Sequence, residues 1–285
     1  MSNQIFNRRL LKMRRNRVAP NFEDFLKAEL CERLADRLED ITRDFPVALE
    51  LGCHSGQLQR VLVGRGGIQR LVQCDLAEQM VRAASGDHKL VADEEFLPFA
   101  PESFDLVMSA GSLHWVNDLP GTLVQIRRIL KPDGLFLAVL PGPNSLRELR
   151  ETFAAIEARH GAIRPHIAPF VEVRDAGNLL ARAGFALPVA DHDTLNLTYE
   201  HPLKLLRELK AMGENNHLIS QEKAVLSKSF FAELCEHYLS HYALDNGRIS
   251  ATIELVTLTS WAPHESQQQP ARRGSGQVSM KDFLS

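Results

Sequence analysis

The run Val47-Ala-Leu-Glu-Leu51, followed at once by Gly52 and then by Gly56, constrains this chain more than any other stretch. Such a short, mostly apolar run suits a buried parallel strand. Apolar residues resume in helical spacing at Leu58, Val61 and Leu62. Strand, glycine turn and helix together open a nucleotide-binding α/β unit. Glycine belongs in that turn because the backbone must bend tightly and approach a ligand with no Cβ in the way. Glu50, at the strand end, is placed to accept hydrogen bonds from a cationic or amine-bearing ligand.

A glycine turn after a strand is common by itself; the later strand ends give this one meaning. Leu71-Val-Gln-Cys-Asp75 is a second apolar run that ends in an acid. It comes about twenty residues after the glycines, where a ribose-binding carboxylate belongs. Leu90-Val-Ala-Asp93 is a third run, again closed by an acid, and Phe104-Asp-Leu-Val-Met-Ser109 is a fourth. Residues 130–140 read as a helix end, a turn at 132–134 and a fifth strand. In open α/β sheets ligands bind beyond the carboxyl ends of the strands. The segment after the fourth strand, Leu113-His-Trp-Val-Asn-Asp118, is therefore expected to carry His114 and Trp115 at a substrate mouth, His114 as a base near neutral pH.

Glu-x-Gly-x-x-x-Gly, Asp75, Asp93 and Leu130-Lys-Pro-Asp-Gly134 together resemble the class I S-adenosylmethionine (SAM) dependent methyltransferases. The resemblance implies a Rossmann-like α/β fold with a mostly parallel seven-stranded sheet flanked by helices, and SAM as cofactor. It implies Glu50 near the sulfonium end and Gly52, Cys53, His54 and Gly56 along the methionine part. Asp75 with Leu76 falls on the ribose, Asp93 with Glu94 at the adenine, and Ser109 at the end of the fourth strand. Where the family has a glycine in the middle of its turn, this chain has His54. A side chain there either points away or reshapes the amino-acid end of the cofactor pocket.

With 285 residues the chain suits one large α/β domain with an elaboration, or two domains. The formal net charge of −3 argues against wholesale nucleic-acid binding. Cys31, Cys53, Cys74 and Cys235 show no CxxC or zinc spacing and read as reduced, packed thiols. No apolar run is long enough to span a bilayer. Residues 1–20 are basic and acid-free, with Ile5, Phe6, Leu10, Leu11 and Met13 interleaved. An organelle presequence would share that composition; the expectation is a mature helix over the cofactor pocket. Residues 21–44 read as one long amphipathic helix ended by Phe45-Pro46, and Ser145 as the N-cap of a helix to residue 159. A short helix at 175–183 closes on Gly184, residues 185–199 carry strand material, and 253–261 form a last strand. Helices at 201–212 and 221–242 interrupt the closing hairpin as a lid or substrate-binding insertion. The expected division is an N-terminal helical lid at 1–45, a SAM-binding unit at 46–200, the insertion at 201–248, and a last strand with a polar tail at 249–285.

Outside the common domain the resemblance narrows. Ile5-Phe-Asn-Arg-Arg-Leu10, Arg164-Pro-His-Ile-Ala-Pro-Phe170, Met212-Gly-Glu-Asn-Asn216 and the ending 264–275 resemble the methyltransferase-like assembly factors of respiratory complex I. That family implies hydroxylation of an arginine on an iron–sulfur subunit of the peripheral arm. It implies membrane association through that partner only, in a bacterial cytoplasm or a mitochondrial matrix. Oxygen insertion into a C–H bond calls for a metal or organic redox cofactor. His114, His166, His217 and His264 show no trusted ligand spacing, Asp191-His-Asp193 reads equally well as a strand edge, and no metal ligand is assigned. Two other readings stay open. The basic first helix and the Leu-His-Trp-Val-Asn-Asp-Leu mouth also resemble the malonyl-acyl-carrier-protein methyltransferases, which act on a carboxylate. His54 leaves room for a non-catalytic SAM-binding chaperone.

Overall fold

The structure is a computed structural model that describes residues 4–161, 164–219, 226–268 and 274–275. Its centre is a seven-stranded sheet of order β3-β2-β1-β4-β5-β7-β6. The strands are β1 (Val47–Leu51), β2 (Arg70–Asp75), β3 (His88–Val91), β4 (Phe104–Ala110), β5 (Leu130–Pro141), β6 (Ala186–Tyr199) and β7 (Ile249–Trp261). β1 pairs in parallel with β2 and β4, and β7 runs antiparallel between β5 and β6. The chain thus winds outward from β1 in both directions, and the crevice at that reversal lies beyond the carboxyl ends of β1 and β4.

Period-two alternation divides the strands between two faces. Leu49, Leu51, Val107, Phe136 and Leu140 pack on α5 (Leu119–Ile129) and α7 (Val173–Arg182). Ala48, Leu106, Met108, Leu137 and Val139 pack on α2 (Phe25–Glu39) and α3 (Gln57–Val61). Leu30, Leu34 and Leu38 supply the buried stripe of α2 at one-turn spacing, and are 6%, 0% and 2% exposed. Burying a side chain of that size contributes about 1.5–3 kcal/mol. A third core joins α6 (Arg147–Arg159), α8 (Pro202–Ala211) and α9 (Lys228–Tyr242) over the start of β7. α8 and α9 interrupt the β6–β7 connection, as the sequence predicts. All four cysteines are free and buried.

Several expected boundaries move. The helix expected at 21–44 is only Phe25–Glu39. Pro20 sits in a separate 3-10 turn, Ala19–Asn21, and the helix is capped at Asp40, with Ile41 beyond it still packing on the same core. The turn expected at 132–134 is absorbed into β5 as a register shift against β4, with Asp133 at φ +59°. Ser145 is not the cap of α6. Leu146, at φ +54°, stands there, while the Ser145 hydroxyl donates to Glu254 O at 3.0 Å and accepts from Glu254 N at 3.1 Å. α7 begins at Val173, β7 at Ile249, and α8 spans Pro202–Ala211. α9 begins at Lys228; residues 220–225 of the helix expected from 221 lie outside the described residues. Gly184, at φ +82°, closes α7 as expected.

Candidate active site

α1 (Arg8–Val18) decides the geometry of the site. The segment before it is tied down along its length. Ile5 N and Phe6 N both donate to Asn117 Oδ1 at 2.8 Å, Asn7 N donates to His217 O at 2.8 Å, and Ile219 N donates to Ile5 O at 2.9 Å. Asn7 then caps the helix by accepting from Leu10 N at 2.9 Å. Arg14 donates to Asn216 O at 2.5 Å, and Asn216 donates to Pro165 O at 2.6 Å. Four separated motifs of the sequence therefore meet at one place: the opening segment, the mouth after β4, the 164–170 loop and the 212–216 turn. The described part of the ending motif lies elsewhere: through Gln267 it donates to Asp133 Oδ1 and Ala262 O, each at 2.8 Å, by the start of β5.

From this anchorage α1 carries two arginines onto the acids at the strand ends. Arg8 pairs with Asp93 at 2.5 Å and with Glu94. Arg15, fully buried, lies 3.5 Å from Asp75 and 3.8 Å from Glu94, and donates to Ser112 Oγ at 3.3 Å. Ser112 in turn donates to Glu94 at 2.6 Å. Asp75 accepts from His54 N at 3.1 Å and from Ala77 N at 2.8 Å. Burial alone would raise the Glu94 carboxyl, but the Arg8 and Arg15 charges and the Ser112 hydrogen bond outweigh it, at about 2. Asp75 goes the other way: burial raises it despite Arg15.

Among the other sequence-predicted residues, Glu50 lies near the end of β1 with Oε1 making no hydrogen bond among the described residues. It is fully buried, accepts from Gln73 at 2.8 Å and lies 3.9 Å from Lys27, and burial pushes it up to about 7 against the Lys27 charge. Lys27 spans the strand ends, donating to Gly52 O at 2.8 Å and Ala110 O at 2.7 Å. Gly52 and Gly56 sit at φ +69° and +83°, and a Cβ on Gly52 would lie 2.1 Å from Ser112 Oγ. Cys53 and Leu76 are buried, and Ser109 ties strands by donating to Leu51 O at 3.0 Å. His54, at φ +48°, is buried with Nδ1 2.9 Å from Gly52 O and its ring stacked on Phe22 at 5.3 Å. Burial, with the Arg15 and Lys27 charges behind it, drives its pKa well below the ordinary range, so the ring is neutral.

Above this charged floor lies a cavity of about 550 Å3. His54, Lys27 and Gly111 line its lower side; Leu149, Phe153, Leu206, Leu209 and Phe231 line its apolar wall. Of the predicted site residues only His54, His114 and Trp115 reach it. Glu214, which sequence reasoning passed over, fixes the last two: its Oε2 accepts from Trp115 Nε1 at 2.7 Å and lies 3.1 Å from His114 Nε2. The signal was an acid inside a Gly-Glu-Asn-Asn turn already singled out as distinctive. His217 is buried edge-on to Trp115, 4.5 Å between ring centres, and neither ring nitrogen makes a hydrogen bond among the described residues. His166 pairs with Glu157 at 2.8 Å, and Asp191 and Asp193 pair with Arg37 and Arg33 of α2.

This sheet order, with one antiparallel strand, a glycine turn after β1 and an acid at the end of β2, defines the class I SAM-dependent methyltransferase fold. The methyltransferase-domain family matches residues 49–138. The YcgJ protein of Bacillus subtilis superposes with a TM-score of 0.58 at 16% identity, over 83% of this chain and 99% of that one. The arginine-hydroxylase NDUFAF5, mitochondrial, of Homo sapiens is 41% identical, over 98% of this chain and 83% of its own length. A malonyl-[acyl-carrier protein] O-methyltransferase of Gallionella capsiferriformans is 30% identical, over 92% of this chain and 93% of its own. The chain belongs to the arginine-hydroxylase NDUFAF5 family, within the superfamily of SAM-dependent methyltransferase enzymes. The cofactor of that superfamily is SAM, and the residues here suit it: a turn cradle closed to any Cβ, and two buried carboxylates beyond β2 and β3. The position opposite those carboxylates is held by Arg15, whose Nε and Nη2 are buried with no hydrogen-bond partner among the described residues.

Proposed function

We propose that this protein binds SAM across the ends of β1, β2 and β3 and modifies an arginine side chain of a protein partner during assembly of respiratory complex I. One observation carries the reading. The similarity to the arginine hydroxylase runs over 98% of the chain, so it includes α1 and the 212–216 turn, which the methyltransferase-domain match at 49–138 leaves out. The 212–216 turn lines the cavity through Met212, Glu214, Asn215 and Asn216, and α1 packs on that turn. The partner in this reading is an iron–sulfur subunit of the peripheral arm, and the chemistry is hydroxylation, in a bacterial cytoplasm or a mitochondrial matrix.

In this reading Asp75 accepts the ribose hydroxyls, Asp93 and Glu94 serve the adenine, and the 52–56 turn follows the methionine part. SAM supplies an activated methyl carbon on a sulfonium when bound; oxygen insertion would call on a redox group besides. Arg15 stands 3.5 Å from Asp75 on the side the ribose would take in this reading, so its side chain must move aside for the ribose to be held. Neutral His54 packs at the methionine end without placing a second cation beside the sulfonium. Lys27 holds Gly52 O and Ala110 O, and so fixes the distance between the β1 turn and the β4 mouth.

The test is mass spectrometry of the iron–sulfur subunit beside the quinone site of complex I, from cells with and without this protein. An arginine that loses an added oxygen in the deletion supports the reading. An arginine that loses a methyl group makes this a protein methyltransferase. If the subunit is the same in both strains, the reading fails, and carboxyl methylation of an acyl-carrier protein takes its place, as the Gallionella relative would have it.

A further inference from the structure

Glu214 has a job left over. It stands in the turn that ends α8, where Gly213 at φ +76° reverses the chain and Glu214 N closes on Leu209 O at 2.9 Å. That turn packs on α1: a Cβ on Gly213 would meet Val18 at 3.3 Å and Arg15 at 3.7 Å. One carboxylate oxygen is taken by Trp115 and His114. The other makes no hydrogen bond among the described residues and is not sealed, since the side chain stays 22% exposed on the cavity wall. Burial would raise this carboxyl, but the His114 hydrogen bond and the Arg15 charge hold it at about 2.

The other charged groups on the cavity are spent or peripheral. Lys27 is bound to two carbonyls, and Glu23, Arg207 and Lys210 are exposed at the rim. The result is one oriented anion in an apolar wall. An arginine side chain has the complementary make-up: an aliphatic stem that buries readily and a planar cationic head. We propose that Glu214 anchors the guanidinium of the acceptor, with its aliphatic stem along Leu206, Leu209 and Phe231. This rests on the arginine reading above and adds to it the residue that selects for arginine. Trp115 and His114 then act as positioning residues, holding the carboxylate rather than the acceptor.

The test uses the full chain and two probes, Nα-acetyl-arginine N-methylamide and its neutral citrulline counterpart, with binding followed by saturation-transfer NMR. SAM affinity and melting temperature are measured beside it. The wild type binds the arginine probe at least tenfold more tightly than the citrulline one. Glu214→Gln removes that preference while SAM affinity is unchanged. Glu214→Asp, which keeps the charge and shortens its reach, gives an intermediate loss and covers the case in which Glu214→Gln does not fold. If both variants bind the arginine probe as the wild type does, the anchor is elsewhere and the arginine reading stands without it. If the wild type itself does not tell arginine from citrulline, both fall together.

Discussion

The floor and the wall of this site are built on opposite principles. On the floor, the fully buried Asp75 and Glu94 and the partly exposed Asp93 meet Arg8 and Arg15 in one ion-pair cluster. On the wall, Glu214 stands among leucines and phenylalanines with one oxygen open. α1 serves both: its arginines neutralise the floor, and the segment just before it stitches the wall together. The difference concerns what each half is prepared for. A buried ion pair adds little net stability over an apolar pair, yet leaving one partner alone costs about 3–5 kcal/mol. The floor is therefore charge-paired as it stands, with Arg15 Nε and Nη2 left over, and needs an exchange of partners to take a ligand. The wall keeps an acceptor in reserve.

The largest effect is expected from Asp75→Ala. Calorimetry should find SAM binding abolished, because the ribose loses both acceptors at once, and the melting temperature should fall because buried Arg15 loses a counter-charge. Unchanged affinity would place the cofactor away from the floor. Gly52→Ala comes next: its Cβ would meet Ser112 Oγ at 2.1 Å. With about 1–2 kcal/mol of left-handed strain besides, it should cost both stability and cofactor affinity, read by thermal melts and titration. Arg15→Met sharpens the comparison. The ligand-free protein should melt lower, while SAM should bind several-fold more tightly for want of a competitor. Weaker binding in that variant would make Arg15 a cofactor contact and break the contrast.

The smallest effect lies in pH. Burial lowers His217 to about 3 even though Glu214 pulls it upward. The unfolded chain therefore takes up this proton before the folded one does. The stability it contributes is complete above the ordinary histidine value of about 6.5 and is lost as pH falls from there toward 3. His217→Phe should flatten the drop in melting temperature between those limits, leaving a residual slope from His54, which shifts the same way.

The strand ends under the site could be read from sequence because backbone geometry dictates them. The Gly52 and Gly56 turn and the acid at Asp75 mark where strands end, and strand ends are visible as runs and breaks. The wall could not. Glu214 and Trp115 meet across about a hundred positions, a contact that only folding of the insertion creates. The burial of Arg15 could not be read either: arginine is almost never fully buried without a partner, and its acids stand far along the chain. Glu50 reads as an acid at a strand end; its hydrogen bond from Gln73 of β2 and its approach to Lys27 of α2 are long-range contacts that only folding creates. Ser145 had the residue type of a cap, yet β7 offered its hydroxyl a backbone pair, and Leu146 took the cap position instead.

α1 also carries a consequence for the bench. Arg8, Arg9, Lys12, Arg14, Arg15 and Arg17 make it a dense run of trypsin sites, now wound in helix and pinned at its start. Limited digestion with and without SAM therefore reports how far the helix travels. Cutting within 8–17 that rises with cofactor means that the whole helix lifts from the carboxylates. A digestion pattern indifferent to cofactor means that the Arg15 side chain alone turns aside, with the helix still in its seat.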